Sequence, residues 1–364
     1  MDAKSSEKGV VLSAQEFEFD KSYLKSAWHP GGHSFAIIGN ALQIIVFDAA
    51  DMGRQKKLDI KRSGSTQGAI AYSPDGKYLA AGNGIISLWD AKTYEWLRDI
   101  EGPFASGHRG AQGVTSLAFS PDSRIIALAY QGYKISNYPN NTNITAYSVD
   151  SGKSIFSIDM ASRGRISSNL AFTPDGKYLI VGRTNLVTYD QQMLTGERFQ
   201  YFTYIDFLDA KTGAFVKSIT PVHVMRPTAI AVSPDGRLVA TGTQTLTKES
   251  NRNPKTDEWD FIDNRDPIRL WDAETGKLVK ELGPITGNVR SIAFSPDGKR
   301  LVSCQDDIQR ETVALWDVVE GRLLAKQKTP HGTYSSSGCA ISPNGKRIAA
   351  PVEKYLYVID VVNK

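Results

Sequence analysis

Residues 289–295, VRSIAFS, alternate along the chain: Val289, Ser291, Ala293 and Ser295 fall on one side, Arg290, Ile292 and Phe294 on the other. A period of two over that length predicts a β-strand, because successive side chains of a strand point to opposite faces. Pro296-Asp297-Gly298 predicts a turn. Proline presets its backbone angle, aspartate bonds its own backbone, and glycine accepts a positive φ. RLVSCQ (300–305), VALWDV (313–318) and RLLAKQ (322–327) read as three further strands, and Glu320-Gly321 turns the chain before the last. Four strands joined by short turns form an antiparallel meander.

The pattern recurs along the whole chain. Its first turn reads HPGGH (29–33), SPDGK (73–77), SPDSR (120–124), TPDGK (173–177), SPDGR (233–237), SPDGK (295–299) and SPNGK (342–346). A second phrase follows each copy: FDA at Phe47, WDA at Trp89, SVD at Ser148, LDA at Leu208, WDA at Trp271, WDV at Trp316 and IDV at Ile359. One supersecondary unit is therefore used seven times. A four-stranded sheet cannot bury both faces alone, but radial stacking against its copies does so and closes a ring. A β-sandwich has no need of strands that repeat in sequence, and a linear solenoid needs distinct capping repeats. The expected architecture is all-β: a seven-bladed β-propeller of four-stranded antiparallel blades, one domain over residues 1–364. Only four residues follow Asp360, so the last blade lacks an outer strand of its own. GVVLSAQEF (9–17) precedes the first inner strand at 23–28 and is expected to complete that blade, removing two open sheet edges.

The Ser-Pro-Asp-Gly turns, with Trp89-Asp90, Trp271-Asp272 and Trp316-Asp317, resemble those of the WD40-repeat family, and the resemblance covers nearly the whole chain. DAKTG, DAETGK and SPDGK resemble the prokaryotic style of such repeats. Two departures matter. Apart from Gly32-His33 inside the first turn, the family's Gly-His dipeptide occurs once, at Gly107-His108, and the aspartate usual before the third strand is missing at Asn83-Gly84. The resemblance implies the propeller, while the family's His–Asp–Ser–Trp network is expected to be absent from most blades.

A meander fixes which turns share a face. The first and third turns lie on one side of the ring; the second turn and the connection to the next blade lie on the other. From the proline to the aspartate of each repeat the chain takes 18, 16, 29, 35, 38, 21 and 17 residues. The extra length is second-turn insertion in blades three, four and five: 131–143, 189–202 and 246–266. A rigid scaffold with variable loops on one face is the plan of a binding protein. Tyr201, Trp259 and Phe261 stand in the insertions, and large aromatics on loops serve as interface anchors or fold back onto neighbouring loops. His108 and Arg109, Arg163 and Arg165, His223 and Arg226, Arg290 and His331 lie on connections that enter the inner strands. Converging arginines suit an acidic peptide, a phosphate or another anion; the plainer account is solvated charges paired with Asp or Glu.

Composition narrows the classes. Hydrophobic content of 41%, charge of 23% and a net charge of +4 over 364 residues are ordinary for a globular chain and give no concentrated basic stripe, so nucleic acid is not an expected partner. No run of 18 apolar residues predicts a membrane span. The polar start lacks a secretory apolar stretch, which leads to an expected cytoplasmic location, the alternative being export with a signal removed. Cys304 and Cys339 give neither a disulfide framework nor metal spacing and read as buried thiols; a metal site from His108, His223 and His331 is not expected. Phosphate-loop, dinucleotide, zinc-protease and nucleophile-elbow motifs are absent. Asp306-Asp307 reads as a surface turn, and the sequons at Asn140 and Asn143 matter only in a glycosylating compartment.

No cofactor is expected. The leading expectation is a non-catalytic scaffold, a monomer or a subunit of a complex. It would bind a protein or peptide through His108, Arg109, Arg165, Tyr201, Arg226, Trp259, Phe261 and Arg290. The rivals are an enzyme or cofactor-bearing subunit with its site at the channel mouth, and anion or nucleic-acid binding through the channel-mouth arginines.

Overall fold

Five of the seven first turns are built by one hydroxyl and one carboxylate. In the sixth repeat Ser295 Oγ donates to Asp297 Oδ1 (2.6 Å) and accepts the Arg300 N–H (2.9 Å), while the Lys299 N–H donates to Asp297 Oδ1 (3.1 Å). The same three bonds recur around Ser73, Ser120, Thr173 and Ser233, and around Ser342 with Asn344 in place of aspartate. The hydroxyl bond holds the carboxyls of Asp122, Asp175, Asp235 and Asp297 below the usual carboxylate range. In the first repeat His29 replaces the hydroxyl. Its Nδ1 accepts the Gly31 N–H (2.9 Å), and its Nε2 lies 3.0 Å from the Gly76 carbonyl oxygen.

These turns join the strands of a seven-bladed β-propeller. The computed structural model describes residues 10–39, 43–60, 68–82, 85–100, 113–131, 142–160, 165–188, 199–223, 227–243, 266–285, 287–307, 310–329 and 338–363. Blade one runs from β2 (Tyr23–Trp28) to β5 (Arg54–Asp59), blade two from β6 (Ala69–Tyr72) to β9 (Trp96–Ile100), and blade three from β10 (Gly113–Phe119) to β13 (Ser154–Asp159). Blade four runs from β14 (Arg165–Phe172) to β17 (Phe215–His223), blade five from β18 (Pro227–Val232) to β21 (Leu278–Leu282), and blade six from β22 (Asn288–Phe294) to β25 (Leu323–Lys328). Every blade is antiparallel with its strands in chain order. Blade seven is the exception: β26 (Ala340–Ile341), β27 (Arg347–Val352) and β28 (Tyr355–Asn363) are completed by β1 (Val10–Glu18). The β1 ladder runs from Val10 opposite Asn363 to Glu18 opposite Tyr355, and Lys354 pairs with Glu18 at 2.5 Å. The expected closure is thus observed.

The cores lie between blades. Val302, Cys304 and Leu315 of blade six pack with Cys339, Ile348 and Tyr357 of blade seven, and Val10 and Leu12 of β1 cover the edge of that cluster. Both cysteines are buried thiols, as expected. Each fully buried aliphatic side chain contributes about 1.5–3 kcal/mol relative to leaving it exposed.

Two rings tie the blades together. On the turn side, the N–H after each second-phrase aspartate (after Ser148 in blade three) meets the carbonyl oxygen that ends the first turn of its own blade. Val318 to Lys299 (2.9 Å) is one case, and the bond recurs in all seven blades, so the two turns share one face as predicted. Each first turn also rests on the one before it. A side chain at the glycine position would meet the preceding blade's proline, as at Gly176 over Pro121, Gly236 over Pro174, and Gly298 over Pro234, and Gly32 over Pro343 closes the circle. In blade three Ser123 replaces the glycine at φ 61°, and its Oγ accepts the Asp75 N–H of blade two (3.0 Å).

The second ring joins the inner strands. Ser26 Oγ donates to the Gly338 carbonyl (3.1 Å), Trp28 Nε1 to that of Ala340 (3.2 Å), Ser291 Oγ to that of Cys339 (3.3 Å), and Thr228 Oγ1 to that of Val289. The Leu170 N–H donates to Ser116 Oγ (3.0 Å).

Three readings need correction. The alternation at 289–295 is broken: the register slips between Val289 and Ser291, so Arg290 is a bulge residue and Val289 joins Ile292 and Phe294 in one core. Asp306 is no surface turn; it lies in β23 (Arg300–Asp307) with 5% of its surface exposed. Part of the blade-four insertion is strand. β15 (Tyr178–Thr188) and β16 (Phe199–Asp209) stay paired out to Thr188 opposite Phe199, because Leu186-Val187 and Tyr201-Phe202 extend the hairpin with strand-forming residues.

Candidate functional site

The face opposite the turns carries the chain's length variation, and its described parts show how the inserted segments are rooted. In blade five β19 (Leu238–Thr243) stops before residues 244–265, and Asp266 resumes just ahead of β20 (Ile268–Asp272). Thr243 Oγ1 donates to Asp266 Oδ2 (3.0 Å), and Arg269 reaches Asp266 (3.0 Å) and Glu281 (2.8 Å). The two ends of the insertion are thereby stapled by a buried carboxylate. In blade six Asp306 accepts the Asn288 N–H (3.0 Å) and pairs with Arg290 (2.5 Å). Burial raises the Asp306 carboxyl, and the Arg290 charge opposes that rise. In blade four Asp206 is held by Arg183 (2.7 Å) and Ser218 Oγ (2.8 Å), and Arg183 stacks on Tyr204 at 4.2 Å.

Of the residues singled out from sequence, Arg290 is the one with a described side chain, and it is bound to Asp306, the plainer of its two readings. Arg165 opens β14 opposite Thr184, Tyr201 sits on β16 opposite Leu186, and His223 ends β17 opposite Thr203. His108, Arg109, Arg163, Arg226, Trp259, Phe261 and His331 lie outside the described residues. Among the described residues no cluster of three His, Cys, Asp or Glu suits a metal ion, and no helix is long and apolar enough to cross a membrane.

A channel residue escaped notice in the sequence. Lys25 of β2 donates from Nζ to the Thr115 carbonyl oxygen of blade three (2.7 Å), passing the inner edge of blade two. Its stem rests on Gly338 of blade seven, where a Cβ would stand 3.1 Å from Lys25 Cγ. Lys25 as a whole is half-buried, and burial of its ammonium pushes it down to about 8. The signal was available. Counted back from the turn, the same column holds Ala69, Ser116, Asn169, Ala229, Ser291 and Gly338, so a lysine there is an outlier.

Two tryptophans of the Trp-Asp pairs keep part of a hydrogen-bond network. Trp271 Nε1 donates to Thr241 Oγ1 and Trp316 Nε1 to Ser303 Oγ, both at 2.9 Å, while blade two has Ala81 at that position and no hydroxyl to offer Trp89.

Residues 61–90, 103–130 and 276–317 match the WD40 family, described as WD domain, G-beta repeat. The chain is 23% identical over 256 residues to the nuclear distribution protein nudF of Aspergillus niger, covering 69% of this chain and 48% of that protein. It is 23% identical over 319 residues to periodic tryptophan protein 2 of Arabidopsis thaliana, covering 81% and 29%. It is 34% identical over 88 residues to human WD repeat and SOCS box-containing protein 1, covering 24% and 20%. In each case the match spans less than half the length of the relative. The chain is thus a seven-bladed β-propeller in which three stretches, residues 61–90, 103–130 and 276–317, match the WD40 repeat.

Proposed function

We propose that this propeller is a non-catalytic interaction scaffold that receives a protein or peptide on the face bearing the insertions of blades three to five. Propellers of the WD40 family are typically protein-interaction scaffolds and generally non-catalytic, which supports the class; the face is inferred from this chain. The observation that carries it is the asymmetry of the two faces. One is bound into a repeating ring of turns, with the same first-turn to third-turn bond in every blade, while the other roots the long blade-five segment on the buried carboxylate of Asp266. A rigid body with such segments binds with little backbone change.

Alanine at both Trp259 and Arg226 tests the face. Retention of the proteins that the native chain captures, quantified by mass spectrometry, is expected to fall at least about tenfold, roughly the loss of one interface anchor. The melting temperature is expected to hold. Lys177→Glu, on the turn side, is expected to retain them. Equal retention by the double variant assigns the partner to another surface.

A further inference from the structure

The inner strands that wall the channel, β2, β6, β10, β14, β18, β22 and β26, hold three cationic residues, Lys25, Arg165 and Arg290, and no aspartate or glutamate. Arg290 is neutralised by Asp306, which reaches it from the next strand. Lys25 has no such partner among the described residues: its acceptor is one backbone carbonyl, at 2.7 Å. An ammonium carries three N–H donors, so two remain for a ligand. A charge enclosed in this way costs stability unless it is paired. The blade does not need it, because six other repeats fill that column with small or uncharged residues.

We propose that the channel is an acidic-ligand site, in which the Lys25 ammonium holds a peptide carboxylate that enters from the insertion-bearing face. The carboxylate is that of an aspartate or glutamate side chain or of a C-terminus. The inference rests on the scaffold reading and adds the chemistry of what is bound. Arg165 begins β14 at the end of the wall that opens on that face. Positive potential focused in a narrow opening draws in acidic ligands.

The ammonium also gives the binding a pH signature. With its value lowered to about 8, affinity for a carboxylate is present at pH 7 and lost as pH rises through that value. The neighbouring titratable groups do not mimic it. Burial holds Tyr23 and Tyr72 neutral above their ordinary range, and burial keeps His29 neutral at and above pH 7. Arg290 and Arg347 are paired with Asp306 and Asp360, and Cys339 packs in the core between blades six and seven.

Fluorescence anisotropy with a labelled hexaglutamate peptide tests the site, with hexaglutamine as the uncharged control and glutarate and inorganic phosphate as competitors. Hexaglutamate is expected to bind at pH 7 and hexaglutamine not. Glutarate is expected to compete. Lys25→Met is expected to weaken hexaglutamate at least about tenfold, with an equal or higher melting temperature. On the native chain, affinity is expected to fall between pH 7.5 and 9.5. Unchanged binding by Lys25→Met, or a loss that begins only near the ordinary lysine value, assigns the peptide to surface lysines and overturns the proposal. A lowered melting temperature in both Lys25→Met and Lys25→Gln makes the residue an interblade tie and also overturns it. So does stronger competition by phosphate than by glutarate, or no binding of either carboxylate. If the Trp259 and Arg226 variant loses its protein partner while hexaglutamate fails, this inference alone falls. If hexaglutamate binds through Lys25 while that variant keeps its partner, the insertion-face reading falls instead.

Discussion

A histidine stands in blade one where six other blades use serine or threonine, and the exchange makes that turn sensitive to pH. His29 Nδ1 accepts the Gly31 N–H, so the ring must be unprotonated there. Burial lowers its pKa below the ordinary histidine value. Between the folded and unfolded values the unfolded chain binds more protons. The stability His29 contributes is therefore full above about pH 6.5 and lost as pH falls through the folded value. Thermal unfolding at pH 7.5 and 5.5 is expected to show a drop that His29→Ser reduces; an identical drop in the variant would move the sensitivity elsewhere. At this scale the sequence was least informative. Asp306 and Asp307 look alike on the page, and only the bulge at Arg290 and the Asn288 N–H make the first of them a buried ion. Lys25 went unremarked because its acceptor, Thr115, is 90 residues away.

Elements were far more readable, because their causes are local. The hydroxyl, proline, carboxylate and glycine of a first turn such as Ser295–Gly298 lie within four residues, and the bonds that shape it are made inside it or to the strand that follows. Ser295→Ala removes the acceptor of the Arg300 N–H and the donor to Asp297. It is expected to cost about 1 kcal/mol in urea denaturation. It also raises the Asp297 carboxyl back toward its ordinary value. A carboxylate held low adds stability above its unfolded value and loses it as pH falls through the folded one, so the variant is expected to lose less on acidification below pH 4. Equal acid sensitivity in the two proteins would show that the hydroxyl does not hold the carboxylate. The hairpin β15–β16 was harder to read. Length alone makes its insertion a loop, although Leu186-Val187 and Tyr201-Phe202 carry the strand preference that keeps the ladder going.

The whole molecule depends on one long-range pairing that the repeat pattern made visible. Seven repeats supply seven inner strands, but the last lacks its fourth partner, and the spare strand lies at the other end of the chain. Removing residues 1–18 uncovers the length of β28 and the side of the cluster that Val10 and Leu12 close. An open edge of that length invites pairing with another chain. The truncated protein is expected to melt lower and to self-associate in light scattering, and a stable monomer with native melting would contradict ring closure through β1. The register of this pairing has a mechanical consequence. Val10 faces Asn363, so the two strands leave the ladder at the same end. Tension between those residues peels the pair one rung at a time instead of shearing all rungs together. The seam is therefore the weak link under load, and the circle should yield there before any blade is torn from its neighbours.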